Sequence, residues 1–273
     1  MRRLLDWSPP PSIWVVENEP LRDARPDGER IRRVQPGRNR GYAGGVNDAL
    51  RAMESTDYEF ALLINTDLDL AEETVRTLQL TLLQEPGIGF VGPLLEEPGP
   101  DGLRVSAGGR DPARWISSRK PFAGEPGRPL LREVDYVPGT VCLFRRAVVE
   151  KVGFLDERFF FSGEVAEYCW RGRQAGFRSA IHTGVRVRHE VEPASPVRST
   201  VYLYYSLRNR FLIARVSRPR DWPAWWVYWT LVGLAMMAQR WLRGLRPSAR
   251  AAGLALRDAW TGRFGETRHV FTP

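Results

Sequence analysis

The chain has 273 residues, of which 43% are hydrophobic and 26% charged, and a formal net charge of +8. That length and composition support a full buried core and exclude a wholly disordered chain. Its two cysteines, Cys142 and Cys169, lack CxxC spacing, which excludes a disulfide framework and a cysteine-based zinc site and fits a reducing cytoplasm. Almost all of the positive charge is arginine, with lysine only at Lys120 and Lys151. Two explanations stand, a compositional bias toward arginine and an anionic partner such as a phosphate group or a membrane surface. The arginines are scattered, and nothing reads as a nucleic-acid-binding module. Residues 1–11 carry no long apolar run of the signal-peptide kind, and Pro9, Pro10 and Pro11 stop any short helix before them.

In chain order, Ile13 to Val16 is a short apolar run that predicts a buried strand, ended by Glu17-Asn18-Glu19-Pro20. A charged loop over 21–30 leads to a weaker strand at Ile31 to Val34. Gly41, Gly44 and Gly45 precede a helix expected over about 46–53. Phe60 to Asn65 is the clearest strand, a continuous apolar run of the kind covered on both faces. Asp67 and Asp69 stand at its end, followed by a helix over 72–83 and a strand over 88–91. The Gly- and Pro-rich stretch 93–132 reads as a long loop. Strand character returns over 134–144, broken at Pro138-Gly139, then a short helix at 146–152, a helix at 164–175 and a strand within 179–189. Strands alternating with helices predict an α/β fold with a mainly parallel sheet, whose ligands bind at the carboxyl ends of strands. Glu17, Asn39, Asp67 and Asp69 are expected on that rim. From residue 201 the composition changes. Trp222 to Ala238 has no charged residue and is rich in tryptophan, with Arg218, Arg220, Arg240 and Arg243 flanking it. It is shorter than the roughly 20 residues of a spanning helix. Three readings are open: a helix lying in a membrane surface, a helix packed on the catalytic domain, and a short spanning helix.

Four constellations carry chemistry. Asp67 and Asp69 on a tight turn can hold a hard divalent cation or merely cap the next helix. The glycine segment lets backbone approach a phosphate or sugar, or makes a tight turn, and its spacing is not that of a dinucleotide fold. Glu164 and Glu167, three residues apart, share a helix face. Either can accept a proton from a sugar hydroxyl, or both are carboxylates favoured at a helix start. His189, ending a strand, can ligate a metal, bind phosphate, or serve structure alone.

Together and in this order, these segments resemble glycosyltransferase family 2, an inverting family, and especially its bacterial rhamnosyltransferase-like members. Val15-Val16-Glu17-Asn18 is similar to that family's Val-Val-Asp-Asn. Asn39 to Asn47 is similar to its Asn-x-Gly-Phe-Ala-Gly-Gly-x-Asn, and Leu63-Ile64-Asn65-Thr66-Asp67 to its Leu-Leu-Asn-Pro-Asp. Val137-Pro138-Gly139-Thr140, Arg145-Arg146, the run from Val152 to Phe160, and Arg208-Asn209-Arg210 match in turn, so the resemblance covers about residues 13 to 215.

The resemblance implies a GT-A fold, a mainly parallel sheet flanked by helices, over 1–200; the change of composition marks off 201–273 as a helical extension, membrane-associating in the first of the three readings above. The resemblance also implies an NDP-sugar donor (UDP- or dTDP-sugar), a glycan or lipid-linked acceptor and Mg²⁺ or Mn²⁺, and the cysteine usage and the tryptophan-rich helix lead to the expectation of a cytoplasmic protein peripheral on the inner face of the cell membrane. By position, Glu17 contacts the base or ribose. Asn39, Gly41, Gly45, Asn65 and Asp67 bind the donor. Asp67, Asp69 and His189 hold the metal, and Gly139 and Thr140 line the acceptor side. Two departures stand out. The family has Glu-Asp before its Asp-Leu-Cys, the Asp being the base, but Val165 follows Glu164 here. Either Glu164 or Glu167 takes that role, or the protein binds nucleotide-sugar, glycan or a partner without turnover. The chain also reaches Glu17 too early to include the family's first strand, so the expected domain lacks it, through a misplaced start or a truncation. A sugar nucleotidyltransferase would want a glycine-rich signature near the N-terminus, and none is present.

Overall fold

The apolar runs of β3, β5, β9 and β10 sit in one sheet whose two faces are both covered by helices. The computed structural model describes residues 2–18, 30–99, 102–115, 119–122, 130–189, 195–269 and 271. The elements are α1 (Arg2–Leu5), β1 (Ile13–Val16), β2 (Ile31–Val34), α2 (Gly41–Met53), β3 (Phe60–Ile64), β4 (Leu68–Asp69), α3 (Glu72–Gln84), β5 (Ile88–Gly99), β6 (Gly102–Gly109), β7 (Arg119–Pro121), β8 (Leu131–Val134), β9 (Val141–Arg145), α4 (Arg146–Val152), α5 (Glu164–Gln174), β10 (Arg178–His189), α6 (Pro196–Ser217), α7 (Trp222–Leu242) and α8 (Arg246–Trp260).

The central sheet runs β3-β9-β5-β10-β4, with β6 on β5, β7 on β6 and β8 on β10. Alternation of side chains along its strands feeds two cores. Phe90 and Phe144 turn toward α2, α4 and α5, where Leu50, Val148, Tyr168 and Cys169 are buried with them. Their neighbours Val91 and Leu143 turn the other way, onto Leu78 and Leu82 of α3. Phe90, Phe144 and Tyr168 meet with ring centroids 5.4 to 6.1 Å apart, contacts worth about 0.5–1.5 kcal/mol each beyond burial.

The α/β architecture with a central sheet flanked by helices agrees with the sequence reading, but the sheet is mixed rather than mainly parallel. Among the described strands, the parallel pairs are β5–β10 and β1–β2, and the other pairs are antiparallel. A parallel neighbour needs a crossover connection, whereas a short turn returns a strand antiparallel. β5 turns directly into β6, and β9 runs against both β3 and β5. β1 and β2 pair with one another in a separate two-stranded sheet.

A second correction concerns 93–132, expected as a loop. β5 continues to Gly99 and forms a hairpin with β6. Pro93 is tolerated because it stands at the irregularity where β10 slips register between His182 and Arg186. Residues 100–101, 116–118 and 123–129 of that stretch lie outside the described residues. A third correction is at α2, which begins at Gly41 rather than near 46. Gly41 has φ +68, and a side chain there would run into the Phe160 carbonyl, so glycine is required. Tyr42 N donates to that carbonyl at 2.7 Å.

At the C-terminus α6, α7 and α8 pack around Tyr204, Phe211, Trp226 and Trp229. Ala251, Ala252, Ala255 and Ala259 of α8 are fully buried, which allows the helix close approach. The indoles of Trp226 and Trp229 donate to the carbonyls of Phe211 and Ala113. No helix of the described residues is long and apolar enough to cross a membrane, which sets aside the short spanning helix.

Candidate active site

Asn39, Gly41, Gly45, Gly139, Thr140, Asn65, Asp67 and His189 of the sequence-predicted residues fall along one line. At one end, after β1, Asn18 accepts from Arg40 N and donates to the Gly41 carbonyl, both at 3.2 Å. Asn39 Oδ1 caps Gly41 N at 2.8 Å. A Cβ on Gly45 would press on Val16 and Asn18. Tyr42 carries the line onward, its hydroxyl donating to the Gly139 carbonyl at 2.7 Å. Next to Gly139, the Thr140 carbonyl accepts from Asn65 N at 3.1 Å. Asp67 lies just beyond, and its Oδ1 is 3.2 Å from Nε2 of His189 at the end of β10. The line ends at Glu97 of β5, whose Oε1 is 2.9 Å from His189 Nδ1.

Glu17 points elsewhere. Its carboxylate accepts from Arg33 and, at 2.9 Å, from Gln35, so both oxygens are engaged across the β1–β2 pair. Asp69 is exposed in β4 and stands in register with Arg188 of β10. The structure therefore brings Asp67 and His189 together and leaves Asp69 at the sheet edge beside them.

The Asp67–His189 contact fits a divalent cation. Asp67 Oδ1 and His189 Nε2 are both shielded from solvent and neither makes a hydrogen bond. With a neutral ring that donates to Glu97 from Nδ1, His189 Nε2 turns its lone pair toward Asp67 as a metal ligand does, whereas a protonated ring would bridge the two carboxylates. Two ligand atoms about 2.1 Å from one cation and at right angles lie about 3.0 Å apart. A metal-ligating histidine commonly donates its other nitrogen to a carboxylate, as to Glu97 here. Among the described residues no group of three or more His, Cys, Asp and Glu is arranged to hold a metal. A two-ligand site matches Mg²⁺ or Mn²⁺ bound jointly by protein and substrate phosphates.

The two candidate bases differ sharply. Glu164 is the first residue of α5 and is buried, and its Oε2 has no hydrogen-bond partner. Burial pushes its carboxyl up to about 7, as expected when a carboxylate loses water without gaining a cation. It lies close enough to Tyr42 to help hold that phenol above its ordinary range, behind the larger effect of burial. Glu167 is also raised by burial, which outweighs its pairing with Arg171. Its two oxygens accept from that guanidinium at 2.7 and 3.0 Å. Arg171 in turn donates to the carbonyls of Val152 and Phe154. Glu167 is thus committed to a buried tie between α5 and the end of α4. Val165 is buried under Gly139, where an added Cβ would come within 2.8 Å of Val165 Cγ2 and of the Tyr42 hydroxyl.

The turn that presents Glu164 is strained. Phe160, Ser162 and Gly163 have φ of 59, 70 and 99. The first two are conformations that cost side-chain-bearing residues of order 1–3 kcal/mol each. Asn209 of α6 holds this turn, its amide donating to the carbonyls of Phe159, Phe161 and Ser162 at 2.6 to 2.9 Å. Fully buried Arg208 donates to the carbonyls of Gly265, Phe159 and Arg158 and to Asn209 Oδ1. Tyr42, Glu97 and the Arg208–Asn209 pair are the parts of the site whose roles reading the sequence missed. Their partners lie from about 50 to about 100 residues away in the chain, so no local pattern marks them.

No protein-family model matches the chain. It is similar to curated glycosyltransferases. A low-salt glycan biosynthesis hexosyltransferase, Agl10, of Haloferax volcanii is 28% identical over 213 residues, 72% of this chain and 65% of the relative. A dTDP-rhamnosyl transferase, RfbF, of Shigella flexneri is 24% identical over 223 residues, 74% of this chain and 70% of the relative. The chain therefore spans about two thirds of the length of each. Among solved structures, GalNAc-T7 with UDP, GalNAc and Mn²⁺ is 16% identical, with a TM-score of 0.49 over 66% of this chain and 36% of that one. The Staphylococcus aureus TarS fragment 1–349 is 14% identical, with a TM-score of 0.41 over 68% and 48%.

Proposed function

We propose that the chain is a GT-A glycosyltransferase of family 2 that moves a hexosyl or rhamnosyl group, with inversion, from a UDP- or dTDP-sugar to a hydroxyl of a glycan or lipid-linked acceptor. It works in polysaccharide biosynthesis, at the cytoplasmic face of the cell membrane. The observation that carries this reading is the single line of contacts with a buried carboxyl raised to about 7 beside it and a shielded carboxylate–imidazole pair at its end. The two curated relatives, a hexosyltransferase and a dTDP-rhamnosyl transferase, support it.

In this reading Asn39, Gly41, Gly45 and Asn65 shape the donor pocket, and Glu17 fixes the β1–β2 edge against the nucleoside. Gly139 and Thr140 form the acceptor wall. Glu164 accepts the proton of the acceptor hydroxyl. The hydroxyl oxygen forms a bond to the anomeric carbon as the bond to the diphosphate breaks on the opposite face, and the nucleoside diphosphate departs. Asp67 and His189, with Asp69 nearby, would hold Mg²⁺ or Mn²⁺, which when bound neutralises charge on the leaving diphosphate. Glu167 orients Arg171 rather than reacting.

A screen of UDP-, GDP- and dTDP-sugars with added Mg²⁺ or Mn²⁺, scored for nucleotide release with and without saccharide acceptors, tests the proposal. Turnover of one donor class, abolished by chelator, is expected. Donor binding by calorimetry with no release under any condition would instead establish a binding protein, the rival that Val165 motivates.

A further inference from the structure

Helix α7 is apolar all round, which normally marks a helix buried on every side. Here only one side is covered. Trp226, Trp229 and Gly233 pack against α6 and α8, and a Cβ on Gly233 would collide with Leu256. The other side is open. Val227, Leu231, Leu234, Trp241 and Leu242 are exposed, Leu231 to 63% and Leu242 to 77%. At 100° per residue these five fall within an arc of about 100°, a stripe about 22 Å long. Leu245, half exposed, extends it past the helix end. No charged side chain interrupts the stripe between Trp222 and Gln239.

The charges around the stripe identify what covers it. Arg220 stands before α7, next to Arg218, which is paired with Asp111, and Arg240, Arg243, Arg246 and Arg250 stand at and beyond its far end. Asp258, the sole carboxylate in 222–260, is buried and bonded to Tyr204 and His269. Asp221 accepts from the Trp225 indole. A second copy packed on this stripe, in either direction, would set arginines on arginines. An anionic bilayer presents the complementary charge at both ends, and Trp241 beside Arg240 and Arg243 has the chemistry of an interfacial anchor. A helix unable to cross a membrane can still bury one face about 5–10 Å deep at the headgroup boundary.

We infer that the outer face of α7 is a membrane-docking surface that lies in the plane of an anionic lipid bilayer. This deepens the membrane-side part of the proposed function and does not depend on the transfer chemistry. The test is co-sedimentation of the full chain with phosphatidylcholine vesicles, with and without about a third phosphatidylglycerol, at low and high salt. The wild type should bind the anionic vesicles and weaken with salt. The double variant Leu231→Glu, Leu242→Glu should bind about tenfold more weakly or worse. Leu80→Glu, at an exposed leucine of α3 (54%), should bind as the wild type does. Both altered leucines of α7 face solvent, so thermal melts of the double variant should overlay the wild type. Vesicle binding equal in the double variant and the wild type, or none by the wild type, would overturn the inference. A wild-type dimer by light scattering that the double variant loses would assign the stripe to a second copy instead. Donor turnover, measured without vesicles, reports separately on the transferase reading.

Discussion

At the Asp67–His189 corner two polar atoms are shielded from water without a hydrogen bond; on the outer face of α7 five large apolar side chains stand in water without cover. Folding alone favours neither. An unpaired buried polar atom costs of order 1–3 kcal/mol, and a contiguous exposed apolar stripe gives up the stabilisation that burial would supply. The difference teaches how to read an incomplete surface. A deficit of polar partners calls for something small, charged and able to enter a crevice. A deficit of apolar partners calls for something broad, greasy and able to lie along a helix.

Three substitutions sharpen that contrast on the polar side. The largest effect is expected at Glu164, where Glu164→Gln should lower transfer by about 10²–10⁴-fold while leaving donor affinity near wild type by calorimetry. The wild-type rate should rise about tenfold per pH unit below 7 and level off above it. The sign follows from the base acting only when deprotonated, and the folded carboxyl is raised to about 7. Loss of that limb in the variant assigns it to Glu164; a limb that survives assigns it elsewhere. Next, Asp67→Ala should weaken Mn²⁺ affinity about 10–100-fold or more, read by metal titration of turnover. An unchanged titration would remove Asp67 from the metal site. The smallest effect is expected at Asn209. Asn209→Ala removes the amide donor of the Phe161 and Ser162 carbonyls, while Arg208 still donates to that of Phe159, a loss of about 1–3 kcal/mol and several degrees in Tm. The pH limb should broaden or move with it. A lower Tm with an unmoved limb would mean the amide supports stability alone.

Most of the frame was legible in the sequence because it is local. The apolar run at Phe60, the short helix at Arg146–Val152 and the start of α5 follow from patterns a few residues long. The hairpin of β5 and β6 was hidden because Pro93 and Pro98 ordinarily end strands, and only β10 and β6 supply the settings that tolerate them. The choice between Glu164 and Glu167 was partly written there. Arg171 stands four residues after Glu167, the spacing of a helical ion pair, and it marks Glu167 as occupied. Glu97 had no such mark, since its partner is the far end of another strand. The mixed pairing of the sheet escaped because strand direction depends on connections, not on the strands' own residues.

Arg208 and Asn209 reach from the C-terminal helices to the turn that carries Glu164. The change of composition near residue 200 is therefore a seam in the text and not in the machine. A chain that exchanged its C-terminal segment for another would misshape the Phe159–Gly163 turn unless the newcomer brought its own pair of side chains to the same carbonyls. The two stretches of chain are thereby one folding unit at this point, and a change to either side of the contact is felt on the other.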